Sequence, residues 1–119
     1  MSIYHLLQAS QTATSATPQT PGVKPAGGYG SGQPPAQQQF ELVVSGVNAV
    51  SATAQVYGSN DDPNGAAGQS WTAIGDPITA TGSNLASATF TAQTSYGWYT
   101  AALTALTGTS AVADVKMSA

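Results

Sequence analysis

The sequence predicts an all-β fold: a single small antiparallel β-sandwich, jelly-roll or Ig-like, with roughly six to eight strands, preceded by an extended N-terminal arm. Three observations carry this. Short runs of β-branched and aromatic residues alternate with Gly, Asn, Asp and Ser after residue 40. Within those runs the apolar residues recur with period two, which places them on one face of a strand. No segment carries an apolar stripe of helical period behind an N-cap.

Residues 1–39 are read as the arm and residues 40–119 as the domain. Five of the seven prolines, Pro18, Pro21, Pro25, Pro34 and Pro35, lie before residue 40. Between Gln8 and Gln39 the large apolar residues are Val23 and Tyr29. Such a stretch buries too little surface to offset the entropy of ordering its backbone, and proline biases it toward extended geometry. At its tip, Ile3, Tyr4, Leu6 and Leu7 form an apolar anchor within residues 3–7. It lacks the basic flank and length of a secretory signal, and it is too short to span a membrane. Fully extended, 39 residues reach on the order of 100 Å. The arm is therefore expected to lie on neighbouring subunits, with Ile3, Tyr4, Leu6, Leu7, Val23 and Tyr29 as its partner-binding residues.

In the domain, Phe40–Val44 ends at Ser45-Gly46, and Val50, Ala52, Ala54 and Val56 form the next inward row. Trp71–Ile74 is followed by Gly75-Asp76-Pro77, read as a turn, and then by Ile78–Ala80. Ala88, Phe90 and Ala92 share a face, as do Tyr99, Ala101, Leu103 and Ala105, and finally Ala111, Ala113, Val115 and Met117. The expected core anchors are Phe40, Leu42, Val44, Val56, Trp71, Ile74, Ile78, Phe90, Tyr99, Leu103 and Val115. Many inward positions are Ala, so the packed layers should lie close together.

Composition limits the function. The chain has 119 residues, and 6% are charged, against about 25% in an average soluble chain. The charged residues are Lys24, Glu41, Asp61, Asp62, Asp76, Asp114 and Lys116, and the formal net charge is −3. Two cations and no arginine leave no electrostatic footprint for a nucleic-acid backbone. The absence of cysteine excludes disulfides, thiolate metal sites and a cysteine nucleophile. One histidine argues against a His-based zinc site. No cofactor, nucleic acid or membrane is expected.

Individual motifs point the same way. Asn60-Asp61-Asp62-Pro63-Asn64-Gly65 imitates the start of an EF-hand loop, but Trp71 stands where the twelfth-position Glu is needed; these are turn residues. His5 with Ser2 or a distant Asp lacks a nucleophile elbow and an orienting motif and is read as a contact residue of the arm, so no enzyme is expected. Gly27–Gly32 lacks the Gly-Lys-Ser/Thr ending of a phosphate loop and reads as linker, and Pro34-Pro35 reads as a stiff spacer. Among Tyr57, Trp71, Tyr96, Trp98 and Tyr99, the first alternatives are core and strand packing; Tyr96 and Trp98 are kept as possible surface-ligand aromatics for a sugar.

The stretch from Phe40 to Asp61, with its V-S-A-T-x-x-V-x-G-S-N-D pattern, the segment Trp71-Thr72-Ala73-Ile74-Gly75 and the closing strand pair from Trp98 to Val115 resemble small β-sandwich virion proteins of tailed bacteriophages. The resemblance covers residues 40–119 and carries no catalytic signature. Where such proteins have a basic residue after the penultimate-strand aromatic, this chain has Thr100-Ala101-Ala102. The resemblance implies a capsid cement or decoration protein on the outer surface of the virion, made in the host cytoplasm. Its partners would be the major capsid protein and copies of itself, as a dimer or trimer on a local symmetry axis. A tail, neck or head-fibre component and a carbohydrate- or surface-binding module are the alternatives. With so few charges, attachment should change little with salt.

Overall fold

The computed structural model describes residues 3–7, 12, 14, 18, 22–24, 37–61, 70–94 and 96–118. The described residues form one antiparallel sheet of four strands: β1 (Ile3–His5), β2 (Gln38–Ser59), β3 (Thr72–Ala92) and β4 (Trp98–Ser118), in the order β1-β4-β2-β3. Helix is absent among them. Among the described residues, three long strands and one short one stand where six to eight short strands were expected.

The long strands are bent. A straight strand of 22 residues would span about 70 Å at ~3.3 Å per residue, yet the longest dimension of the molecule is 47 Å. All three strands bend at one level, and each bend uses left-handed backbone: Asn48 (φ 63°) in β2, Asn84 (φ 67°) in β3, and Gly108 (φ 130°) with Ser110 (φ 52°) in β4. Asn tolerates this region better than other side-chain-bearing residues. The β2–β3 register slips between Ser45 and Ala49, and the β2–β4 register slips there as well. The Asn48 amide donates to Asn84 Oδ1 at 2.8 Å, which ties two of the bends together. The runs Phe40–Val44 and Val50–Tyr57 are thus two limbs of β2, and the runs Trp98–Leu106 and Ala111–Met117 belong to β4.

The bend brings the inner faces of the limbs together. Phe40, near the start of β2, lies 6.3 Å centroid to centroid from Tyr99, whose strand partner is Gly58 at the far end of β2. Phe40 also stacks on its cross-strand partner Phe90 at 4.9 Å. Leu42, Val44, Val50, Val56, Ile74, Leu103, Val115 and Met117 complete the large part of the core, with Ala52, Ala54, Ala80, Ala101 and Ala113 filling the narrow positions. Of the expected anchors, Ile78 and Phe90 are half-buried against this core, and Trp71 is half-buried.

Two departures in phase have local causes. Thr53 pairs with Ala105 but Ala54 pairs with Leu103, so Thr104 is an extra residue in β4. The insertion flips the alternation: Ala105 is exposed, contrary to its expected inward place, and Leu106 turns toward the core. Gly75-Asp76-Pro77, expected as a turn, is a bulge within β3: Ala54 pairs with Ile78 and Val56 with Ile74, so three residues stand opposite Gln55. Gly75 supplies the left-handed φ of 68° that the bulge requires. Gln55 Nε2 donates from the side chain to the carbonyls of Val56, Ile74 and Gly75, which gives the disrupted ladder partners.

Candidate functional site

With no clustered chemistry predicted, the functional features are the edges of the sheet and the segments that meet them. β1 adds to the outer edge of β4, with Ile3 opposite Ser118, Tyr4 opposite Met117 and His5 opposite Lys116. The Leu6 amide continues the ladder to the Val115 carbonyl at 2.7 Å. Leu6 and Leu7 then turn inward and are 1% and 0% exposed, inside the core of their own chain. Tyr4 is half-buried against that core, while Ile3 is 64% exposed. The physical reason is proximity of a matching slot: the edge of β4 offers unpaired backbone groups beside the apolar positions Val115 and Met117. While seated there, Leu6 and Leu7 have no apolar surface left to offer a neighbour.

Charge is concentrated at this seam. His5 Nδ1 lies 2.7 Å from Asp114 Oδ2, and Lys116 Nζ lies 3.9 Å from Glu41 Oε1. All four side chains stand on the outer face where β1, β4 and β2 run side by side.

The arm meets β4 a second time. Val23 forms an isolated antiparallel bridge with Tyr99, exchanging backbone hydrogen bonds of 2.7 and 2.8 Å. Lys24 Nζ sits 5.8 Å from the centroid of the Trp98 ring. Trp98 is half-buried, and a sugar stacking on the face that meets Lys24 would have to displace it. Tyr96 packs edge-on against Tyr99, with centroids 6.2 Å apart. A Cβ at Gly58 would overlap the Tyr96 ring, so glycine is required for this approach. Tyr29 lies outside the described residues.

Sequence reasoning missed Gln38, which it assigned to the arm. Its side chain is fully buried. Gln38 Nε2 donates to the Thr94 carbonyl (2.9 Å) and to Tyr99 Oη (3.3 Å), while its Oε1 accepts from the Thr94 amide and hydroxyl. Tyr99 Oη in turn accepts from the Tyr96 amide at 3.2 Å and hydrogen-bonds the Thr94 hydroxyl at 2.7 Å. This network ties the start of β2 to the connection between β3 and β4. The signal for it was phase: stepping back by two from inward Phe40 reaches Gln38.

Of the acidic segment read as a turn, Asn60 and Asp61 are described. Asn60 Oδ1 accepts from the Gly97 amide and Asp61 Oδ2 from the Ser70 amide, at 2.9 and 2.7 Å. Residues 62–65 lie outside the described residues. Among the described residues no group of three His, Cys, Asp or Glu is placed to hold a metal ion, and no helix is long and apolar enough to cross a membrane. A surface depression of 460 Å³ at the bend is lined by Thr12, Leu106, Gly108, Ser110, Ala111 and Val112, without a titratable side chain. No family model, curated protein or solved structure matches the chain.

Proposed function

We propose that the chain is a non-enzymatic structural protein of a tailed-bacteriophage virion, of the capsid cement or decoration type. It acts by covering contacts between major capsid proteins on the outer surface of the head. The two limbs of the bent sheet are read as the two layers of a small sandwich.

The observation that carries this reading is the distribution of charge. No charged residue lies between Asp76 and Asp114, a span that takes in most of β3 and most of β4. The outer face there is hydroxyl-rich and already pairs neutral groups side by side, as Ser51–Thr81 and Thr53–Thr79 do at 3.0 Å. A surface of this kind suits coverage by a partner through many neutral contacts, summed over the copies on a lattice. The arm has a mode of attachment to match, because β1 with Leu6 and Leu7 is strand addition plus apolar anchoring on this chain's own edge.

The test is binding of the purified full chain to phage heads assembled without it. Saturable binding, in the copy number of a head lattice and nearly unchanged between low and moderate salt, is the expected result. Absence of binding, a steep loss with salt, or a copy number fitting a single neck or tail ring would each overturn the cement reading. A disulfide staple formed by Ile3→Cys with Ser118→Cys, residues that face each other across β1 and β4, asks whether β1 must leave its edge. Weakened binding of the stapled form assigns the spanning role to residues 3–7; unchanged binding removes it from them.

A further inference from the structure

The two edges of the sheet are treated differently. The outer edge of β4 is covered by β1 at Lys116–Ser118, by Leu6 at Val115 and by Val23 at Tyr99. The outer edge of β3 carries no described strand. In its first limb β3 has the Gly75-Asp76-Pro77 bulge, which combines a charge, a proline and a local distortion, the usual means of blocking edge-to-edge pairing. The second limb, Leu85–Ala92, has none of these: no charge, no proline, and an unbroken register against β2 from Gln38–Ala92 to Ser45–Leu85.

The core is also open on this side. Ala86, Ala88, Phe90 and Ala92 are only half-buried, although their neighbours across the ladder, Val44, Leu42, Phe40 and Gln38, are completely buried. On the opposite flank, Ala113, Val115 and Met117 are buried beneath the closed β4 edge. Leu85, at the start of the open limb, is 65% exposed.

We infer that Leu85–Ala92 of β3 is a homodimerisation edge, pairing antiparallel with the same segment of a second copy about a two-fold axis centred near Thr89. Three features select a second copy as the occupant. An antiparallel pair centred on Thr89 places Ser87 opposite Thr91, and Ala88 opposite Phe90. Hydroxyl residues thus meet hydroxyl residues on the outer face, and apolar residues meet apolar residues on the inner face. The segment is uncharged, so two identical edges meet without like-charge repulsion. The half-open apolar row of each copy then gains cover from the row of the other, continuing the core across the axis. This inference does not depend on the virion role.

The chain has no cysteine, which allows a direct test on the full-length protein. Thr89→Cys should oxidise rapidly to a covalent dimer. Thr107→Cys, an exposed position on β4, should do so only at the rate of random collision. In sedimentation equilibrium the unmodified protein should dimerise with concentration. Thr89→Lys, which sets two ammonium groups against each other at the axis, should weaken the dimer by roughly tenfold or more. Thr107→Lys, with the same change in charge, should leave it intact. A protein that stays monomeric at high concentration with equal crosslinking rates at both positions overturns the inference. So does a dimer indifferent to Thr89→Lys, or one weakened equally by both lysines.

Discussion

The N-terminal region touches β4 at two places, and the two contacts differ in kind. Residues 3–7 contribute three strand pairs, a further backbone bond and two leucines sealed in the core. Residues 22–24 contribute one bridge, a half-buried valine and an exposed lysine beside an aromatic ring. Burying a leucine is worth about 1.5–3 kcal/mol, whereas a backbone hydrogen bond nets about 1 kcal/mol. The first contact is therefore a piece of the fold placed far from it in sequence, and the second is a tether. An arm defined by composition alone hides this difference.

Deleting residues 1–7 tests it most severely. It uncovers the β4 edge and leaves an apolar slot where Leu6 and Leu7 sat, so the truncated chain should aggregate or lose cooperative unfolding by circular dichroism. A well-folded truncation of unchanged stability would reduce the first contact to the rank of the second. Leu6→Ala and Leu7→Ala should each lower stability by about 2–5 kcal/mol, read from the midpoint of urea unfolding. At the second contact, Val23→Pro removes the amide that donates to the Tyr99 carbonyl and should cost about 1 kcal/mol. A loss as large as that of the leucines would erase the distinction. The smallest effect belongs to the His5–Asp114 pair, whose imidazole is 62% exposed: His5→Ala should shift stability by about 1 kcal/mol or less.

Strand character and inward phase were readable in the sequence because period-two alternation is imposed by the backbone itself. Phe40, Leu42, Val44, Val56, Ile74, Tyr99, Leu103 and Val115 are core residues on that basis. The number of strands was not readable. A bend and a hairpin both require left-handed backbone and recruit the same Gly, Asn and Ser residues, and Asn48, Asn84 and Gly108 bend strands without reversing them. Phase was lost at Ala105, because the inserted Thr104 leaves no compositional mark, and it was right again from Ala111 to Met117. The destination of Leu6 and Leu7 was hidden for another reason: an apolar tip fits any edge with a matching slot, and its sequence does not say whose edge that is. Gln38 was obscured by the run Gln37-Gln38-Gln39, in which only the middle residue is buried.

The pairing of β1 with β4 joins segments 109 residues apart at His5 and Asp114. During synthesis β1 emerges first, but its docking edge exists only once β4 has been made. β2 pairs with both β3 and β4 within residues 38–118, and these three can associate before β1 docks, so β1 closes the longest loop and does so last. The same order in reverse makes it the first element to detach from the native state, a local opening that costs less than global unfolding. Its amides should therefore exchange with solvent earlier than those at the centre of β2, and a protease should find this end of the molecule before any other strand. A newly made chain also passes through an interval in which Leu6 and Leu7 are exposed and their slot is unfilled, when another molecule's leucines could take the place.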